Sequence, residues 1–275
     1  MSKKRLVIGL GGKGGTGKTL HFRSLYYFLI RSGLKTVGFD ADIENPGFYD
    51  HHAGSEHPVR LLDFLEVGEA KGLFTVLAEE APDVVLIDMP GASAEATRDQ
   101  LNRFGAFAIS EKLGYRVTFS SVLNNQFSPI VSVKAMLEYG GGKADFLAVK
   151  SLMWAQGSLD FRRWDESQVR KDFLAQKGIE IEMPVLEPTT FDAIHEEGLS
   201  FFEMEKLPFG DQILAESFLD QCRPELEKAA EYLGLPPTIA DLDAAKPKAK
   251  RTTKKEKEPA TVAATAATEG GNNAG

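Results

Sequence analysis

The sequence predicts an α/β protein, a mainly parallel sheet with helices on both faces, and three observations predict it. Short apolar runs alternate with helix-forming segments from residue 5 to about residue 235. The runs are rich in Val, Ile, Leu and Phe at successive positions, as strands covered on both faces are. Between the first run and the first helix lies Gly11-Gly12-Lys13-Gly14-Gly15-Thr16-Gly17-Lys18-Thr19, and Gly12–Thr19 fits the phosphate-loop pattern GxxxxGK[ST]. A chain of 275 residues is long enough to bury a full core in one large domain or two small ones.

In order, the strands are expected at Leu6–Leu10, Thr36–Asp40, Val84–Asp88, Arg116–Val122, Phe146–Lys150 and Ile179–Met183. Helices are expected at Lys18–Arg31, closed by Gly33, then at Ala70–Glu80, Ala94–Lys112, Pro129–Glu138, Asp165–Lys177 and Gln212–Leu233. Beyond Pro236-Pro237 the composition turns to Ala, Lys, Thr, Glu and Gly, with no large apolar residue after Val262. Such a segment cannot bury enough surface to offset its ordering entropy. The expected organisation is therefore a body over residues 1–238 and a disordered tail over 239–275.

Charge and cysteine content exclude several classes. The chain carries a net −8; seven Lys/Arg against five Asp/Glu in 239–275 leave the body at −10 and the tail locally basic. No apolar run approaches the ~20 residues that cross a bilayer. Lys3-Lys4-Arg5 and the apolar residues after it resemble a signal peptide, but the glycine loop interrupts them. A single cysteine, Cys222, excludes an intrachain disulfide framework, fits a reducing cytoplasm and is expected to be buried.

Ligands of such sheets bind at the carboxyl ends of the strands, where the glycine loop, Asp40 and Asp88 all fall. The glycines let successive N–H groups face one anion, and the helix N-terminus adds a positive dipole. Lys18 supplies a point charge for the β- and γ-phosphates, and the Thr19 hydroxyl is placed to ligate Mg²⁺. Asp88 ends an apolar strand and can hold the metal's water shell opposite Thr19; Gly91 after it can let a loop move. Asp40 and Asp42 alternate at the tip of another strand, so one of them can face the nucleotide and position water or the metal. Lys13 is a second lysine that an ordinary phosphate loop does not need. His21, His51, His52, His57 and His195 form no obvious catalytic set, and His51-His52 is expected in a surface loop. Trp154 and Trp164 read as core or interface residues.

Lys13-Gly14-Gly15-Thr16-Gly17-Lys18-Thr19 resembles the deviant Walker A loop, KGGxGKT, of the ParA/MinD family of dimerising ATPases. Phe39-Asp40-Ala41-Asp42 is similar to that family's switch I, and Ile87-Asp88-Met89-Pro90-Gly91 to its magnesium strand and switch II. Met183 through Pro188, then Ala193 and Gly198, resemble the terminal proline strand and the loop that flanks adenine. The resemblance spans residues 5–235. It implies ATP held by Gly12, Lys13, Gly14, Gly15, Thr16, Gly17, Lys18, Thr19 and Leu20, with Pro184, Glu187 and Pro188 beside the base. It implies Mg²⁺ at Thr19, Asp42 and Asp88, catalysis by Lys13, Lys18, Asp42 and Asp88, and Lys13 reaching the nucleotide of a second copy. Two positions depart from the family's wording: Ile43-Glu44-Asn45-Pro46 follows switch I in place of Pro-Gln-x-Asn, and Lys150-Ser151 stands where many relatives have an adenine-reading asparagine. The Asp-x-Asp-x-x-Asn wording and the Gly-Ala-Ser after the Asp88 strand resemble plasmid-encoded conjugation and stability ATPases of the TraL and StbB kind.

The resemblance implies a cytoplasmic, ATP-dependent dimerising switch that partitions or positions cargo such as plasmid DNA, with slow hydrolysis stimulated by an activating protein. Non-specific, nucleoid-associated DNA contact is expected through Arg162, Arg163, Arg170 and Lys171, or through the tail cluster Lys246–Lys257. The alternatives are a nucleotide-gated adaptor for conjugation or secretion with little hydrolysis, and an ATP-dependent synthetase or kinase. With one cysteine a nitrogenase-type iron protein is not expected, nor, with a polar C-terminal stretch, a MinD-type membrane helix. With Tyr232 the last tyrosine a C-terminal tyrosine cluster of the bacterial kinase kind is not expected, nor, with the loop at residue 11, an N-terminal helix-turn-helix domain.

Overall fold

In the computed structural model, residues 4–12, 15–155 and 161–240 are described. Seven strands form one sheet: β1 (Lys4–Leu10), β2 (Thr36–Asp40), β3 (Arg60–Leu61), β4 (Val84–Asp88), β5 (Tyr115–Leu123), β6 (Ala144–Ser151) and β7 (Ile179–Met183). Their order is β3-β2-β4-β1-β5-β6-β7, and every neighbouring pair runs parallel. The predicted fold class holds. From β1 the chain crosses to β2 on one side, and from β4 it crosses to β5 on the other. The tips of β1 and β4 therefore flank the crevice where the winding reverses.

Helix α1 (Lys18–Arg31) follows the phosphate loop and packs over β4. It approaches the sheet so closely that a Cβ on Gly9 would meet the Phe22 ring at 2.5 Å. Phe22, Phe28 and Leu29 of α1 are wholly buried, each contributing about 2–3 kcal/mol of apolar transfer. The other core gathers Leu6, Ile8 and Leu10 of β1 with Trp164, Phe173 and the inner faces of α4 (Ala94–Phe104), α5 (Ala106–Lys112), α6 (Ser128–Gly140) and α8 (Gln168–Ala175). Alternate side chains of β1 thus feed two cores, which is why the strand reads apolar at every position. Trp164 is core, whereas Trp154 is half-buried.

Several helices differ from expectation. Gly105, in the left-handed region at φ 59°, divides Ala94–Lys112 into α4 and α5. Asp165–Lys177 is two pieces, α7 (Arg162–Asp165) and α8, because the Ser167 hydroxyl accepts from Arg170 N and starts a new helix. Helix α3 (Val67–Thr75) begins three residues early, and its continuation Val76–Glu80 widens to a π turn. The last segment is α10 (Phe209–Lys228) and α11 (Ala230–Leu233). Among the strands and α-helices of the described residues, three had no expectation: β3, α2 (Gly47–Asp50) and α9 (Pro188–Glu196). Pro188 opens α9 at the first helical position, where a missing N–H costs nothing, so the proline marked a start rather than a break. The folded body includes Ile239, which is buried and whose N–H donates to Glu227. Residues 241–275, holding most of the predicted tail, lie outside the described residues.

Candidate functional site

The phosphate loop leaves β1 at Leu10 and is braced from two sides. Ala92 N, just after the β4 strand, donates to the carbonyls of Gly11 (3.3 Å) and Gly12 (2.7 Å). On the other side a Cβ at Gly12 would fall 2.0 Å from Ser128 Oγ and 2.9 Å from Pro129 N, so only glycine fits. Gly17 takes φ 92°, and no side chain caps the N-terminus of α1. No acidic residue sits in that first turn either, so its N–H groups remain available to an anion. Lys13, to which the resemblance assigns the cross-dimer contact, and Gly14 of the nucleotide-binding set lie outside the described residues.

Below the loop, Asp88 meets Thr19, opposite which the sequence places it, and also Lys18, which the sequence assigns to the phosphates. One carboxylate oxygen accepts from Thr19 Oγ1 at 2.8 Å, and the other is ion-paired with Lys18 Nζ. Register explains the meeting, since Asp88 lies beside Gly9 on β1 and beside Asp40 on β2. This is a phosphate-loop α/β fold.

Asp40 and Asp42 divide as the strand alternation predicts. Asp40 is buried and accepts from the N–H groups of Asp42 (3.0 Å), Phe48 (2.7 Å) and Tyr49 (3.0 Å), pinning α2. Burial, with the neighbouring Asp88 charge, pushes its carboxyl up to about 6 against those N–H donors. Asp42 is the one that lines the cleft, held by Asn45 N at 3.3 Å.

A cavity of about 440 Å³ opens along this site. Gly12, Gly15, Thr16, Gly17, Lys18, Thr19 and Leu20 of the predicted set line it, together with Asp42. Pro184, Glu187 and Pro188 are not among its lining residues; from that region Phe191 and His195 of α9 line it instead. Sequence reasoning also missed Arg23, His51 and Met153. Arg23 carried a signal, being a charge inside the otherwise apolar run Phe22–Leu29 with only Ser24 beside it.

The histidine expectations need correction. His51 and His52 are 4% and 1% exposed, packed behind α2 rather than in a surface loop. His51 and His195 do form a pair, with His195 Nδ1 3.3 Å from His51 Nε2. Burial pushes His51 down to about 3 and His52 and His21 down to about 4, with the Arg23 charge adding to the effect at His51 and His52. Cys222 is buried as expected, and burial raises its thiol well beyond the usual range.

A metal ion fits the donors at Thr19 and Asp88. Among the described residues no group of three or more His, Cys, Asp or Glu is set to hold a metal unaided. Magnesium does not require one, because it keeps several waters and takes one or two carboxylates plus phosphate oxygens.

Half of the predicted cationic patch is neutralised. Arg162 pairs with Glu166, and Arg170 with Glu180 and Asp165. Arg163 donates to the Asn125 carbonyl at 2.6 Å and lies over the Phe127 ring, while Lys171 is exposed. Among the described residues no helix is long and apolar enough to cross a membrane.

No protein-family model matches the sequence, and no curated protein matches it. Among solved structures, the fold is similar to MinD of Pyrococcus horikoshii complexed with Mg-ADP, at 15% identity, TM-score 0.48, covering 80% of this chain and 98% of that one. A ParA family ATPase from Chlorobium tepidum aligns at 10% identity and TM-score 0.48, over 79% of this chain and 98% of that one. The MinC:MinD cell division complex of Aquifex aeolicus aligns at 15% identity and TM-score 0.46, over 80% and 96%.

Proposed function

We propose that this chain is a magnesium-dependent ATPase switch that dimerises on ATP and positions or partitions cargo such as plasmid DNA. The observation that carries the reading is the grouping of Lys18, Thr19 and Asp88 beneath a glycine loop at an uncapped helix N-terminus. A triphosphate arriving there takes Lys18 from Asp88. The released carboxylate and the Thr19 hydroxyl would hold magnesium, which would supply positive charge to the phosphates. Asp42, at the cleft wall, positions the attacking water. Lys13 braces the phosphates of a second copy, so that closing the dimer completes both sites. Hydrolysis removes the γ-phosphate and loosens the pair; it is slow unless a protein partner stimulates it.

Contact with duplex DNA falls to the tail cluster Lys246–Lys257 rather than to Arg162, Arg163, Arg170 and Lys171. The body is acidic, and Arg162 and Arg170 already face carboxylates. Sedimentation with ATP, ADP or neither, each with and without duplex DNA, tests the reading. ATP should give a dimer and ADP a monomer, with magnesium required for tight binding. Lys13→Ala should keep nucleotide binding and lose both dimer and turnover; a normal ATP dimer from that variant would refute the role given to Lys13.

The adaptor reading, with little hydrolysis, has one observation in its favour. Switch I is clamped, because Asp40 holds three backbone N–H groups and Phe48 is wholly buried. Phosphate release that rises strongly on adding DNA or a partner protein would argue against it.

A further inference from the structure

Arg23 lies on α1 one turn beyond Thr19, 2% exposed, and lines the same cavity as the phosphate loop. One guanidinium nitrogen donates to the Leu199 carbonyl at 3.0 Å, and the group sits 5.2 Å from the centre of the Phe201 ring. Its Nε is buried without a hydrogen-bond partner. None of the ion pairs among the described residues includes it. Arginine stays charged in proteins, and leaving such a charge buried without a partner is strongly unfavourable.

Two imidazoles crowd the same spot. His51 Nδ1 is 3.0 Å from the Leu199 carbonyl, which can only accept, so the proton sits on Nδ1. His51 Nε2 then accepts from His195 Nδ1, and His195 Nε2 is left as the outer end of the relay. Glu203, an acid whose charge reaches His52, is itself engaged by Lys206 and Ser200. The result is a cation with two imidazoles and no acid, opening on a cavity that already offers a phosphate loop.

We propose that Arg23 forms a second anion subsite in that cavity, its guanidinium taking a phosphate or carboxylate group beside the triphosphate while the His51–His195 pair positions it through the shared Leu199 carbonyl. The proposal rests on the triphosphate reading above. Four residues of helix separate Arg23 from Thr19, a rise of about 6 Å. That distance suits a phosphate carried on the nucleotide's own ribose, or a separate small acid filling the rest of the cavity.

Calorimetry on the full chain separates these sources. Binding of magnesium ADP is compared with ADP bearing a 3′-phosphate, and with ADP plus inorganic phosphate or acetate. At least one arm should show a gain of about tenfold in affinity or a second saturable event. Arg23→Gln should abolish that gain while ADP affinity stays within about threefold. His195→Gln, at an exposed position, should reduce the gain and serves as the deciding variant if Arg23→Gln fails to fold. ADP that binds while no arm adds anything overturns the subsite alone, as does a gain that survives in the folded variant. ADP that does not bind at all overturns the triphosphate reading and the subsite with it.

Discussion

Two buried charges lie against or on helix α1 and are treated in opposite ways. Asp88, 1% exposed at the tip of β4, is met by the Lys18 ammonium and the Thr19 hydroxyl. Arg23, 2% exposed and one turn along α1, meets a carbonyl and an aromatic face beside the His51 imidazole, with no carboxylate. The first is a closed arrangement in which Lys18 neutralises Asp88. The second leaves a positive charge without an acid partner, next to a His51 whose protonation is pushed down by burial first and by that charge second. The lesson is that burial alone does not define a site; what matters is whether the buried charge has its complement within the chain.

That contrast can be broken most sharply with acid. His21, His52 and His51 have their protonation pushed down by burial, to about 4, about 4 and about 3. The unfolded chain therefore binds more protons than the folded one below about 6.5, and stability falls as pH drops. Asp40 works the other way, because its raised value favours the folded state as pH falls from about 6 to 4. Three histidines outweigh one aspartate. Denaturant melts at pH 7.5 and pH 5 should show a net loss on the order of 4 kcal/mol; equal stability at both would mean the imidazoles charge freely in the folded state.

Next comes the closed arrangement itself. Lys18→Met strips Asp88 of its cation and should cost about 3 kcal/mol of stability without nucleotide, besides ending ATP binding. Arg23→Met removes a charge that has no carboxylate partner, so its melt should stay within about 1 kcal/mol of the parent or rise slightly. If the two variants fall equally far, the distinction between the two charges fails. Smallest of all is Arg162→Ala, whose exposed pair with Glu166 should matter by less than about 0.5 kcal/mol. A larger drop in its urea midpoint would give that pair a structural weight its exposure does not suggest.

Much of this was legible in residue order. Thr36–Asp40, Val84–Asp88 and Ile179–Met183 were located to the residue; the first two are short and mostly apolar, as doubly covered strands are, whereas the edge strand Ile179–Met183 alternates apolar residues with Glu180 and Glu182. The glycine loop was legible because its backbone geometry tolerates few other residues. Less legible was α2, a single turn whose stability comes from Asp40 reaching eight and nine residues forward, a contact with no local periodicity. The break at Gly105 was visible as a glycine but not as a left-handed one, since its φ depends on how α4 and α5 pack. His51 resembled a loop residue because its partners, His195 and Leu199, lie far along the chain.

By itself, then, the order of residues determined the parallel sheet, the loop at its central tip, and the placing of Thr19 opposite Asp88. These depend on short-range patterns: apolar runs, glycine spacing and a carboxylate at a strand end. Only the packing of α1, α2 and α9 around one cavity decided that Asp42 rather than Asp40 lines the cleft, and that Arg23 lies buried beside His51 and His195. Charge compensation is a property of neighbours in space, and the neighbours of Arg23 come from segments more than a hundred residues apart.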